Sequence, residues 1–199
     1  MKNKSFLFIL SALALWLVAS SPARAQVVGI KTNLLYDATA TINLGAEVAL
    51  APRLSLDVSG NLNLWTWKDN MKWKHWMVQP ELRWWTCSTF GGHFFAFHAL
   101  AGQFNVGGLP TGRIKAPLFD LSSFATSRYQ GWAFGAGLGY GYAFPLGKHW
   151  NLEAELGLGG IFVMADKFDC DICNRPDVLG IKKFIPSVTK LAINIVYLF

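Results

Sequence analysis

Eight charged side chains stand inside otherwise apolar or small-residue stretches: Lys31, Glu47, Asp57, Glu81, Arg83, Glu153, Glu155 and Lys190. Glu81 and Arg83 are two apart, as are Glu153 and Glu155. In an extended chain that spacing puts each pair on one face. A buried face carrying both signs must pair its charges or hydrogen-bond them. The chemistry this set supports first is an ion-pair and hydrogen-bond plug that fixes strand register. Closely placed carboxylates also support a proton or ion path, or acid–base catalysis.

Other chemistry-bearing residues are sparse. Cys170-Asp171-Ile172-Cys173 is a CxxC pair, and in an exported chain it reads as a loop disulfide, Cys170–Cys173. A zinc site would need more ligands. No second Cys pair exists and the four His are dispersed, so no metal site and no cofactor are read from the sequence. Cys87 is the odd thiol, in a turn. Asp37, Asp69 and His75 fall where a rim hydrolase would carry its Asp and His. That pattern is too common to assign a catalytic residue, and the chain is read as non-enzymatic.

The elements that position these residues are strands. The last ten residues alternate Leu191, Ile193, Ile195, Tyr197 and Phe199 with Lys190, Ala192, Asn194, Val196 and Leu198. Two unlike faces at a period of two define a strand. The same alternation runs through 28–36, 42–50, 54–64, 74–86, 94–105, 131–144 and 152–159. Pro80 lacks a ladder donor, so a bulge is expected there. Trp132, Phe134, Leu138 and Tyr140 alternate with Gly131, Gly135, Gly137 and Gly139, which leaves slack for a small water-filled cavity on the glycine side. The eight strands are joined by connections that run short, short, medium, short, long, short, long. The long ones are Gly107 to Arg128 and Met164 to Lys183.

The N-terminus reads as an export signal. Lys2 and Lys4 precede an apolar run, and Ala23-Arg24-Ala25 has the small-x-small form of a cleavage site. Residues 1–25 are expected to be removed, leaving 26–199 as one domain. Losing Lys2, Lys4 and Arg24 takes the net charge from +6 to +3. The remaining basic residues are scattered, which argues against nucleic acid. Charged residues make up 15% of the chain, against about 25% in soluble domains. No second apolar run could span a membrane as a helix. A chain this apolar hides its lipid-facing residues at every second position of a closed barrel. A water-soluble barrel would need charged residues on its outer face, where this chain has Leu, Val and aromatics. Aromatics cluster toward both strand ends. Tyr36, Trp65, Trp67, Trp73 and Trp76 lie at one; Trp84, Phe144, Trp150, Tyr197 and Phe199 lie at the other. Such residues favour membrane interfaces.

Two resemblances follow. The alternating final strand ending in Phe199 is similar to the closing strand of bacterial outer-membrane barrels, which implies the outer-membrane assembly machinery as a partner. The segments 31–38, Asn43-Leu44-Gly45 with Glu47, Pro80-Glu81-Leu82-Arg83-Trp84-Trp85, and Asn105-Val106-Gly107-Gly108 resemble a domain-of-unknown-function family of small bacterial outer-membrane proteins of the OmpA/OmpX-like class. That resemblance implies an eight-stranded barrel and an outer-membrane address, and brings no catalytic motif.

The expected fold is therefore all-β: an eight-stranded antiparallel up-and-down transmembrane β-barrel with both termini periplasmic. The expected role is structural, or a surface or envelope interaction made with a protein partner by the loops Gly107–Arg128 and Met164–Lys183. The alternative is binding or passage of a small hydrophobic solute.

Overall fold

The computed structural model describes residues 28–109, 115–116, 119–120, 122–169 and 175–199. The signal-peptide reading and the Cys170–Cys173 pair lie outside the described residues. Eight strands close into one antiparallel ring: β1 (Val28–Asn33), β2 (Ile42–Ala51), β3 (Leu54–Asn63), β4 (Lys72–Trp85), β5 (Gly92–Gly107), β8 (Arg128–Pro145), β9 (Trp150–Phe168) and β10 (Val178–Leu198). A two-stranded hairpin, β6 (Lys115–Ala116) and β7 (Phe119–Asp120), stands apart from the ring. β1 pairs β10 from Gly29 opposite Leu198 to Asn33 opposite Asn194, so no edge is left open. Both described ends of the chain, and the turns at 52–53, 86–91 and 146–149, lie at one end of the barrel. We call this the lower end.

Alternation decides the two surfaces. Leu138 is 69% exposed, and Trp132, Leu56, Leu156 and Leu191 also face outward. Their alternates Gly137, Asn61, Glu155 and Lys190 are buried in the lumen. No helix among the described residues is long and apolar enough to cross a membrane, which says nothing about crossing with strands.

Several local expectations are corrected. Residues 34–36 do not extend β1. They open a short helix, α1 (Leu34–Ala38), because the Asn33 side chain accepts from the Leu35 N–H at 3.1 Å and caps it. Pro80 causes no bulge. The β3–β4 register runs through it unbroken, and β4–β5 pairing skips residues 79 and 80 but resumes in the same register. The ladder tolerates one missing donor without inserting a residue. Register shifts fall instead between Ala49 and Ala51 on β2 and, on β10, between Val178 and Ile181 and between Val188 and Lys190; the last is the bulge inside the lumen's reach. The segment 164–183 is mostly strand, and its connection shrinks to 169–177. β8, β9 and β10 are 18, 19 and 21 residues long, whereas β1 has 6. One side of the barrel thus rises well above the other.

Candidate functional site

The lumen is built in three layers, and β5 runs through all of them. At the lower end Phe94 packs with Trp85, Ala96 and Ala143. Phe90, Val196 and Leu198 complete this floor. Aromatic contact is tight there, with the Trp85 and Phe94 rings 4.7 Å apart.

The middle layer collects all eight charged residues of the alternating stretches. Arg83 lies at its centre. Its Nε donates to Glu81 at 2.5 Å, Nη1 to Glu47 at 2.8 Å and Glu153 at 2.9 Å, and Nη2 to Glu155 at 2.8 Å. The guanidinium face sits 4.4 Å above the Phe94 ring, a cation–π contact that ties this layer to the floor. Lys31 donates to Glu47 and, at 3.1 Å, to Glu153. Lys190 donates to Glu81 at 2.7 Å. Asp57 lies 3.6 Å from both lysines and 3.7 Å from Arg83. Fork-shaped donors such as Arg suit a site where several carboxylates converge. Ser55 and the Trp85 indole extend the network, Ser55 to Glu47 and Trp85 to Ser55 at 2.8 Å.

His98 and Thr189 belong to the same layer, and no motif or spacing in the sequence marks either of them. The imidazole is fully buried, with Nε2 2.7 Å from Thr189 Oγ1 and Nδ1 3.7 Å from Glu81. The bulge in β10 turns both Thr189 and Lys190 inward, which puts each on its partner. The expected slack beside the glycines is filled. A Cβ on Gly157 would meet His98 Cε1 at 2.5 Å, and one on Gly137 would meet Thr189 Oγ1 at 2.4 Å and His98 Nε2 at 2.8 Å. The small residues of β8 and β9 are seats for side chains arriving from β5 and β10.

The outer layer is open. A cavity of about 600 Å³ lies above His98, between the tall strands. Met77, Leu100, Phe104, Val106, Ile161 and Val163 line it, with Tyr36 and Trp73 on the short side of the barrel. Phe124, from the connection after β7, also reaches the cavity and packs its ring 5.3 Å from Tyr129. The wall is almost wholly apolar.

The remaining sequence candidates are placed as follows. Tyr36 sits on α1 and turns into the cavity, beside His75 at 6.4 Å, and not outward with the other aromatics. Trp65, Trp76, Trp84, Trp150 and Phe199 are exposed on the exterior. Tyr197 packs between Trp150 and Phe199, each 5.0 Å away. Asp37 accepts from Thr32 at 3.0 Å and from Asn43 at 2.8 Å, while His75 Nδ1 faces the Trp73 carbonyl at 3.1 Å. The Asp69 side chain lies outside the described residues. Cys87 is an exposed free thiol in the lower turn.

Ring, charged layer and cup together define a class: a closed eight-stranded antiparallel barrel, blocked across its middle and open at one end. A family model described as "Protein of unknown function (DUF3575)" matches residues 8–199, and the chain belongs to that family. No curated protein and no solved structure matches it.

Proposed function

We propose that this protein is an integral outer-membrane barrel that holds a small apolar molecule in its outward-facing cup. The carrying observation is the cavity itself. Its volume of about 600 Å³ falls within the range of about 300–1,000 Å³ typical of small-molecule sites. An apolar wall that stays open to solvent costs free energy unless something apolar fills it.

The membrane address is supported by the exterior. Leu, Val and aromatic side chains cover the outside of every long strand, and about 9–11 residues per strand suffice to cross a bilayer. β8, β9 and β10 exceed that span and form a wall above it. Exposed Lys182 and Lys183 stand on that wall. The short turns at 52–53, 86–91 and 146–149 all lie at the lower end, which is the periplasmic side in barrels of this kind, and β10 is the segment the assembly machinery would read.

The layered lumen separates binding from passage. Charged and aromatic layers block the axis below the cup, so the barrel is expected to stay silent in a planar bilayer. The connection 108–127 contributes Phe124 to the cup wall. This favours a role for that loop at the ligand site over a free surface contact.

The test is displacement of an apolar fluorescent probe from the detergent-extracted protein, with mass spectrometry of co-purified small molecules. Ala133, on β8, lines the cup, and filling it by Ala133→Trp should abolish probe binding and leave heat-modifiable gel mobility intact. Equal probe binding by wild type and Ala133→Trp would sink the reading.

A further inference from the structure

The charged layer does not balance. Five carboxylates, Glu47, Asp57, Glu81, Glu153 and Glu155, face three permanent cations, Lys31, Arg83 and Lys190. All are buried. An uncompensated surplus of negative charge is costly at such a site. Two added positive charges would neutralise it.

Four atoms of this layer, Asp57 Oδ1, Glu153 Oε1, Glu155 Oε1 and His98 Nδ1, are buried and make no hydrogen bond. Of their residues, His98 and Glu155 converge with Glu81 on one place. One ring nitrogen of His98 and one carboxylate oxygen each from Glu81 and Glu155 lie within 4.8 Å of one another, and Nδ1 is 3.7 Å from Glu81. The other imidazole nitrogen already has its partner in Thr189 Oγ1 at 2.7 Å. When Nε2–H donates to Thr189, Nδ1 is left with a bare lone pair on the side of Glu81. A hydrogen bond from the far ring nitrogen commonly orients a metal-binding histidine. Three strands supply the donors, β4, β5 and β9, and the β10 bulge supplies the orienting hydroxyl.

We propose that Glu81, His98 and Glu155 form a binding site for one divalent transition-metal cation. One imidazole nitrogen with two carboxylate oxygens is a donor set that zinc accepts. A dication would supply the two missing charges. Lys190, 2.7 Å from Glu81 and 3.5 Å from Glu155, and Arg83, 2.8 Å from Glu155, hold the carboxylates in place as positioning residues. The site stands independently of what fills the cup.

The test uses zinc alone, on the full chain extracted in detergent, stripped with chelator and carrying Cys87→Ser, Cys170→Ser and Cys173→Ser so that thiols contribute nothing. Calorimetry should give one Zn²⁺ per chain, and zinc should raise the temperature at which the heat-modifiable band shifts. His98→Ala and Glu155→Gln should each weaken binding at least tenfold. His93→Ala, whose exposed ring stacks on Tyr140 at 5.8 Å, should leave it unchanged. Glu155→Gln preserves side-chain shape and carries the comparison if His98→Ala does not fold. No zinc bound by the parent chain, or binding equal in Glu155→Gln, overturns the site and assigns the missing charge to protons on the carboxylates.

Discussion

Arg83 donates to four carboxylates from three strands, β2, β4 and β9. Replacing it with methionine keeps much of the stem but takes the central cation from four buried carboxylates, leaving Lys31 and Lys190 to serve them all. Breaking a buried ion network at one partner costs about 3–5 kcal/mol. Arg83→Met should therefore lower the urea midpoint of the refolded protein sharply. Lys167→Ala, which removes a solvent-exposed pair with Asp169 at 2.6 Å, should leave the midpoint unmoved. The network was legible in the sequence because its charges interrupt apolar alternation at positions of one parity. His98 was not, since Phe94, Phe95 and Phe97 occupy both parities around it and hide which face is inward. Thr189 was illegible for a different reason. Its inward turn depends on a bulge that no proline or glycine at 189 announces. Tyr36 departs from the alternation because capping by Asn33 ends the strand three residues before it.

At the scale of elements, the small residues of β8 and β9 act together with the large ones of β5 and β10. This makes a prediction about coupling. In Gly157→Ala the new Cβ meets His98 Cε1 at 2.5 Å, and overpacking of this kind costs about 1–3 kcal/mol. In a His98→Ala background the clash has no partner, so most of the cost should vanish, a coupling that a double-mutant cycle of unfolding free energies would register. Gly137→Ala should recover less, because its Cβ also meets the Leu158 carbonyl at 2.6 Å, and backbone cannot swing away. Gly60→Ala, with nothing within 4 Å, should be neutral. If Gly157→Ala costs the same with and without His98, the seat-and-side-chain account of the middle layer fails. Strand existence and register parity could be read from alternation, but strand length could not. In 164–183 the alternation is broken by Asp166, Lys167, Lys182 and Lys183. Where a strand stands clear of an apolar surround, neither face demands apolar residues and the period of two loses its mark.

For the whole molecule the question is what surrounds the barrel, and one pair of substitutions decides it. Leu138 is outward and 69% exposed, and Leu179, near the top of β10, is 71% exposed. To water the two sites are alike. To a bilayer they differ in depth. Leu138 stands six residues from Phe144 on β8, and at a rise of about 3.4 Å per residue and a tilt of about 45° that is about 14 Å along the axis. This is near the middle of a hydrocarbon core about 30 Å thick. Leu179 is nineteen residues from Leu198 on β10, about 45 Å up by the same geometry, and well above the core. Arginine at the midplane of a membrane barrel costs about 2–4 kcal/mol, and at the interface or beyond about 0–1 kcal/mol. Leu138→Arg should therefore reduce the unfolding free energy measured in lipid vesicles by the larger amount, and Leu179→Arg by little or nothing. A barrel that lives in water would tolerate arginine at both sites, since each already faces solvent. Equal and small effects in vesicles would remove the bilayer from the account. The cup would then become the mouth of a soluble binding protein, with its apolar exterior left unexplained.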